Sequence, residues 1–292
     1  MAESVKQTGR QIPPVVLVVA AVLLWSTGGL FIKLTSLDAF QVTCYRSLFA
    51  GLTVLIATRK QGLKINAFGM ISTLIYSTLL FLFVWATKHT TAANAIFLQY
   101  TAPVYILLLS PFVIGERFHF RDLVTVAVCI AGMSLFFVGK LEISDYQGNI
   151  AALVSGMFLG FYLMLLRHPK AAGMNSTITV IYGNFLLALL TLPYGLEAIP
   201  KITGLDLAAV GFLGIFQIGI SYILFIKGVT SGTRPLDASI IGFIEPLLNP
   251  VWVFLFVGER PSQWALLGGT VIIAGVVTHT IAQYRRPQQI SS

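Results

Sequence analysis

Ten apolar runs of about 20 residues follow one another along this chain, with only short polar links between them. A helix of about 20 apolar residues crosses the roughly 30 Å hydrocarbon core of a bilayer. Cut at its charged and Gly/Pro-rich links, the chain has spans at about 14 to 34, 39 to 58, 68 to 87, 91 to 114, 122 to 139, 148 to 166, 176 to 194, 206 to 227, 236 to 257 and 262 to 283. The expected fold class is therefore an all-α integral membrane protein with ten transmembrane helices. Composition agrees: 56% of the residues are hydrophobic and only 10% charged, where a water-facing domain needs about a quarter charged. The first run follows a polar start and has no small-residue cleavage site, so it reads as a retained span.

The net charge of +8 does not imply nucleic acid, because the basic residues occupy the links and form no phosphate-tracking stripe. They are unevenly shared. With an even number of spans, one side takes 13 of the 19 Lys and Arg, and the other takes Lys33, Lys88, Lys140, Lys201 and Arg260, with Arg46 inside a span. Basic residues are retained in the cytoplasm, which places both termini there, and the expected location is the cell (inner) membrane. Cys44 and Cys129 lie inside apolar runs and read as packing residues rather than a disulfide or thiolate site.

An internal repeat organises the chain. Gly115-Glu116-Arg117 recurs as Gly258-Glu259-Arg260, and the same shift pairs Pro103 with Pro246 and Ile130-Ala131-Gly132 with Ile273-Ala274-Gly275. Five spans separate equivalent points, so the second unit, residues 141–292, is inserted upside down relative to the first, 1–140. Two similar units in opposite orientation give two nearly equivalent conformations, one open to each side, which is the architecture of secondary transporters.

Ionisable groups inside a span are costly and are functional candidates by default. Glu245 lies near the middle of the ninth span and fits a proton-coupling site, a substrate-ammonium site or a structural carboxyl. Arg46, about seven residues into the second span, reads first as a structural cation able to snorkel toward the boundary, and second as a partner for an anionic substrate group, since its fixed charge does not suit a proton relay. The cavity candidates are Trp25, Ser26, Tyr76, Asn94, Gln99, Tyr100, Ser155, Tyr162, Gln217 and Tyr222, because polar atoms in hydrocarbon need a partner or water. Gln217, a long amide eleven residues into its span, is preferred among them. Pro103 and Pro246 are the expected kinks, since matched interruptions point toward a binding region. No phosphate-binding loop is present, and the four histidines have no metal-ligand spacing, with His279 expected at the interface. No cofactor, metal or catalytic group is expected.

The assembled motifs resemble the drug/metabolite transporter superfamily, specifically the ten-span EamA-type exporters. Leu24-Trp25-Ser26-Thr27-Gly28-Gly29 is similar to the family's Trp-small opening, and Tyr45-Arg46-Ser47-Leu48-Phe49-Ala50 to its Arg-containing second helix. The Pro-then-Gly-Glu-Arg patterns at 103–117 and 246–260 resemble both repeats, and Glu245-Pro246 the second repeat's Glu-Pro. The resemblance implies proton-linked or facilitative export of small metabolites such as amino acids, by alternating access through a central cavity between the halves. Glu116 and Glu259, at helix ends, then belong to folding. Ala102 stands where the second repeat has Glu245, so the site is expected to be asymmetric. The competing reading is a non-transporting membrane protein, either a lipid-modifying intramembrane enzyme or a sensor.

Overall fold

A computed structural model of the chain describes residues 12–117, 119–135, 138, 146–257 and 263–284. Among them every regular element is helical: α1 (Pro14–Trp25), α2 (Gly28–Leu34), α3 (Ala39–Thr58), α4 (Ala67–His89), α5 (Ala92–Gln99), α6 (Ala102–Val113), α7 (Phe120–Leu135), α8 (Tyr146–Leu165), α9 (Ile178–Leu190), α10 (Leu192–Ala198), α11 (Gly204–Phe212), α12 (Ser221–Thr230), α13 (Pro235–Gly242), α14 (Ile244–Val257) and α15 (Gln263–Tyr284). A π-helical stretch, Leu213–Ile220, joins α11 to α12. Among the described residues, six helical stretches are long and apolar enough to cross a bilayer, and α9 with α10 makes a seventh, bent by 61°. The second Gly-Glu-Arg copy, Glu259 with it, lies outside the described residues.

The polarity is inverted relative to a water-soluble fold. Large apolar side chains such as Ile56, Phe112 and Leu189 face outward, while Arg46, Asn94, Ser155, Asn184, Gln217 and Glu245 are buried. Soluble chains bury such residues only rarely; a lipid-facing exterior requires this arrangement.

Several expected spans are not single helices. The first breaks at Ser26-Thr27, the fourth at Tyr100-Thr101 and the ninth at Phe243. Pro103 and Pro246 sit in the first turns of α6 and α14, rather than as kinks in continuous helices. Their position has a steric reason: an N-terminal turn has no intrahelical use for the N–H that proline lacks. The fourth and ninth breaks are separated by the same shift as the sequence repeat.

The links gather at two ends. At one, Asp206 accepts from the Thr35 hydroxyl and the Ser36 N–H, each at 2.7 Å, and Lys88 donates to Thr35 O at 3.0 Å. At the other, Asn175 donates to Thr58 O and Gly62 O, and Arg167 pairs with Glu116 at 3.5 Å. Burial pushes the Glu116 carboxyl above the usual range, against the pull of Arg234 and Arg167. The 20-residue α3 separates the two ends, about 30 Å at 1.5 Å per residue.

One charged cluster at the second end joins three helices. Arg234 Nη2 is 2.7 Å from Asp237 Oδ1 and 3.2 Å from Asp122 Oδ2, and His279 Nε2 is 2.8 Å from Asp237 Oδ1. The cluster ties the start of α13 to α7 and α15. His279 is buried among these carboxylates, near the end of its helix, because its face turns inward toward α13. Cys44 and Cys129 are both buried free thiols.

Candidate functional site

Backbone contacts set the site before any side chain reaches it. A Cβ at Gly156 would sit 2.6 Å from Gln99 O, so α8 touches the α5–α6 break closely only because that residue is glycine. This approach lets Gln99 Nε2 donate to Ser155 Oγ at 2.8 Å, and Ser155 Oγ to Leu79 O at 2.9 Å. On the opposite wall a Cβ at Gly214 would lie 2.5 Å from Arg46 O, which brings the π-helical stretch against the Arg46 turn of α3. The Ser221 hydroxyl donates back to Gln217 O and, at 3.1 Å, to Ile218 O. These bonds support the widened turn that carries Gln217, a geometry frequent at functional sites.

The fourth and ninth breaks meet at the centre. Tyr100, the residue closing α5, donates its hydroxyl to Glu245 Oε2 at 2.7 Å and packs its ring on Phe243, centroids 5.4 Å apart. Gly242 leaves room for that ring, since a Cβ there would be 2.8 Å from Tyr100 Cε1. Glu245 is the second residue of α14, where helix N-terminal N–H groups favour a carboxylate.

Around this crossing lies a small cavity lined by Trp25, Arg46, Gln99, Tyr100, Gln217, Tyr222 and Glu245, with Leu79, Leu80, Phe83, Leu159 and Ile218 as its apolar wall. Its volume of about 40 Å³ has room for a few waters at roughly 10–15 Å³ each, and none for a metabolite. Arg46 does not snorkel: it is fully buried, because its face of α3 turns toward α4 and the π-helical stretch, and its one side-chain hydrogen bond among the described residues is from Nη2 to Leu80 O at 3.4 Å. Arg46 Nε and Nη1, Trp25 Nε1 and Gln217 Oε1 have no hydrogen-bond partner among the described residues. Nor does any ion pair within 4.0 Å join Arg46 to Glu245 there.

The remaining candidates stand elsewhere. Tyr76 accepts from Asn184 Nδ2 at 3.0 Å and packs between Tyr162, whose ring is tilted against it, and Tyr222, which meets it edge-on, with both centroid distances 5.1 Å. Ser26 accepts from Trp252 Nε1 at 3.0 Å, and Asn94 donates to Thr90 Oγ1 at 3.2 Å. Tyr162 bonds Thr179 at 3.0 Å and lines a second cavity of about 400 Å³ beside the α8–α9 link. Although larger, that cavity is lined by polar groups that already pair: Asn175 holds loop carbonyls and Arg167 holds Glu116. Of the nine buried side-chain polar atoms without a hydrogen-bond partner among the described residues, four belong to side chains lining the central cavity and none to side chains lining the second. Asn184, a buried amide midway along α9, was not anticipated by sequence reasoning, although its depth in an apolar run marks it in the same way as Gln217. No group of His, Cys, Asp or Glu arranged to hold a metal exists among the described residues.

Comparison with known proteins agrees with this architecture. The model of the EamA-like transporter family matches residues 12–138 and again 146–280. A protein of Archaeoglobus fulgidus called an uncharacterized transporter is 28% identical over 267 residues, covering 89% of this chain and 93% of its own length. A probable terminal-alkyne amino-acid exporter of Streptantibioticus cattleyicolor is 28% identical over 66% of this chain and 65% of its own. A pseudopaline exporter of Pseudomonas aeruginosa is 23% identical over 90% and 94%. One crystal structure superposes with a TM-score of 0.77 at 21% identity, covering 94% of this chain and 99% of that one, and so shares the fold.

Proposed function

We propose, for a chain that belongs to the EamA-like transporter family, that small metabolites, amino acids or related compounds, are exported by alternating access through the central cavity. Family membership makes the chain a multi-pass membrane transporter and not an enzyme. In our reading it has ten spans forming two inverted five-helix repeats, 1–140 and 141–292, with both termini cytoplasmic in the cell membrane. Transport is either secondary active or facilitative.

The observation that supports this reading is a guanidinium and a carboxyl, Arg46 and Glu245, buried on one cavity with no ion pair within 4.0 Å between them among the described residues. A structural ion pair gains from close contact, and an unpaired buried charge is costly; polar cargo satisfies both groups. The matched breaks next to Pro103 and Pro246 supply hinges at equivalent points of the two halves. Since the cavity is too small for a metabolite in this conformation, cargo enters only when the halves move apart. Glu245 is the coupling residue, able to exchange a proton for cargo, and Tyr100 holds its carboxyl in place. The two relatives named exporters, one a probable exporter of a terminal-alkyne amino acid and one of pseudopaline, agree with the direction.

Purified protein in liposomes is expected to exchange labelled amino acids under a substrate gradient, and faster under a proton gradient. Absence of movement of any amino acid, nucleoside or amine under both gradients would remove the transport reading.

A further inference from the structure

The two cavities lie in series along the same helices, and the inference drawn from this rests on the transport reading above. On α8, Leu159 lines the central cavity and Tyr162 the second, about 4.5 Å further along at 1.5 Å per residue. On α12, Tyr222 lines the central cavity and Thr230 the second. Tyr162 and Tyr222, one from each lining, meet with centroids 6.3 Å apart, and Tyr76 touches both at 5.1 Å. We infer that the second cavity is a loading chamber for the cargo at the cytoplasmic end, and that Tyr222 is the moving partition between this chamber and the central cavity.

The volumes fit a path closed at that layer. About 400 Å³ in the second cavity lies within the roughly 300–1,000 Å³ of small-molecule sites, whereas the central cavity has about 40 Å³. The chamber stands at the end where Arg167 pairs with Glu116 and Asn175 holds the Thr58 and Gly62 carbonyls, cytoplasmic in the reading above. Arg167 and His168 line it and, among the described residues, no carboxylate does, which suits a cargo carrying an anionic group. Phe68, Leu165 and Ile178 supply apolar wall for the rest of the molecule.

Of the three rings, two are fixed. The Tyr76 and Tyr162 hydroxyls bond Asn184 and Thr179, each at 3.0 Å, and both partners belong to α9. A Cβ at Gly183 would lie 2.5 Å from Tyr76 Cδ1, so the α9 backbone also presses on that ring. No hydrogen bond among the described residues ties the Tyr222 hydroxyl. Tyr222 is the second residue of α12, directly after the π-helical stretch, so a change of winding in that stretch rotates its ring. The Tyr162–Tyr222 contact is also the widest of the three, and it is the seam at which the chamber opens inward.

The test uses protein with Cys44 and Cys129 replaced by alanine. Ser176→Cys, in the chamber wall, is modified with a thiol reagent carrying either a methyl group or a biotin. The bulky adduct is expected to lower exchange of labelled amino acids at least about tenfold relative to the methyl adduct, because it fills the entry that gates passage. The same bulky adduct at Lys170→Cys, on the same link but outside the chamber, is expected to change exchange less than about twofold. Equal exchange with either adduct at Ser176→Cys would overturn the loading chamber. For the partition, Leu159→Cys is labelled with an impermeant reagent from the chamber face. Tyr222→Ala is expected to raise that labelling rate at least about tenfold, since the gating ring is gone. An unchanged rate, in a variant whose size-exclusion profile and Tm show it folded, would overturn the partition. Tyr222→Leu, which keeps apolar bulk without the ring, takes the same test where the alanine variant misfolds. Absence of exchange in unmodified protein would count against the transport reading instead, while the labelling rates still decide the partition.

Discussion

Glu245→Gln is expected to abolish the acceleration of transport by a proton gradient and to lower amino acid exchange at least about tenfold, leaving a residual rate that does not vary with pH. The size follows from the chemistry lost. A hydrogen bond to a charged group contributes about 1.5–3 kcal/mol, and 1.4 kcal/mol is a factor of about ten. Glutamine keeps the shape and an acceptor for the Tyr100 hydroxyl, so the break between α13 and α14 should survive, with a normal Tm as the control. The readout is uptake into liposomes at several external pH values with the internal pH fixed. A variant whose pH profile overlays that of wild type would exclude Glu245 from coupling.

Arg234→Met is expected to destabilise the protein more than any single cavity substitution. Arg234 is the cation between the Asp122 and Asp237 carboxylates, with distances of 3.2 and 2.7 Å. Its side chain retains 20% exposure and that of Asp122 only 3%. Removing one partner of a buried ion pair costs about 3–5 kcal/mol; the partial exposure of Arg234 reduces this to roughly 2–4 kcal/mol here. At roughly 2–4 °C per kcal/mol for a chain of this size class, the apparent Tm falls by about 4–16 °C. Arg234→Lys should recover part of the loss, because an ammonium supplies charge without the two-pronged fork. An unchanged Tm in Arg234→Met would show that the cluster contributes nothing to holding α13 against α7 and α15.

Position along a span follows from counting residues in the sequence, but facing direction does not. Counting residues placed Gln217 and Glu245 deep in hydrocarbon, and the structure puts both on one cavity. The same counting left Arg46 near the boundary, free to snorkel, whereas α3 turns that face toward α4 and the π-helical stretch. Direction depends on which neighbour a helix packs against, and here that is decided by distant glycines such as Gly156 and Gly214.

Breaks were legible only where proline marks them. The interruptions beside Pro103 and Pro246 could be anticipated; the one at Ser26-Thr27 and the π-helical turn at Gln217 carry no comparable signal, because they arise from side-chain back-bonding and packing. Ser26 and Ser155 look alike as small polar residues in apolar runs, yet Ser26 bonds Trp252 while Ser155 supports Gln99. The apolar wall residues Leu79, Phe83 and Leu159 are indistinguishable in sequence from lipid-facing leucines and phenylalanines. The Asp122–Arg234–Asp237–His279 cluster draws on helices more than 100 residues apart, so no local pattern announces it.

The most direct test of the central cavity is its accessibility from each side of a membrane. With Cys44 and Cys129 replaced by alanine, a single cysteine is introduced as Leu159→Cys in the cavity wall. An impermeant thiol reagent is then applied to either face of sealed vesicles. Alternating access predicts modification from both faces, slowed on each by a transported amino acid. Modification from one face only, undiminished by any amino acid, would contradict it.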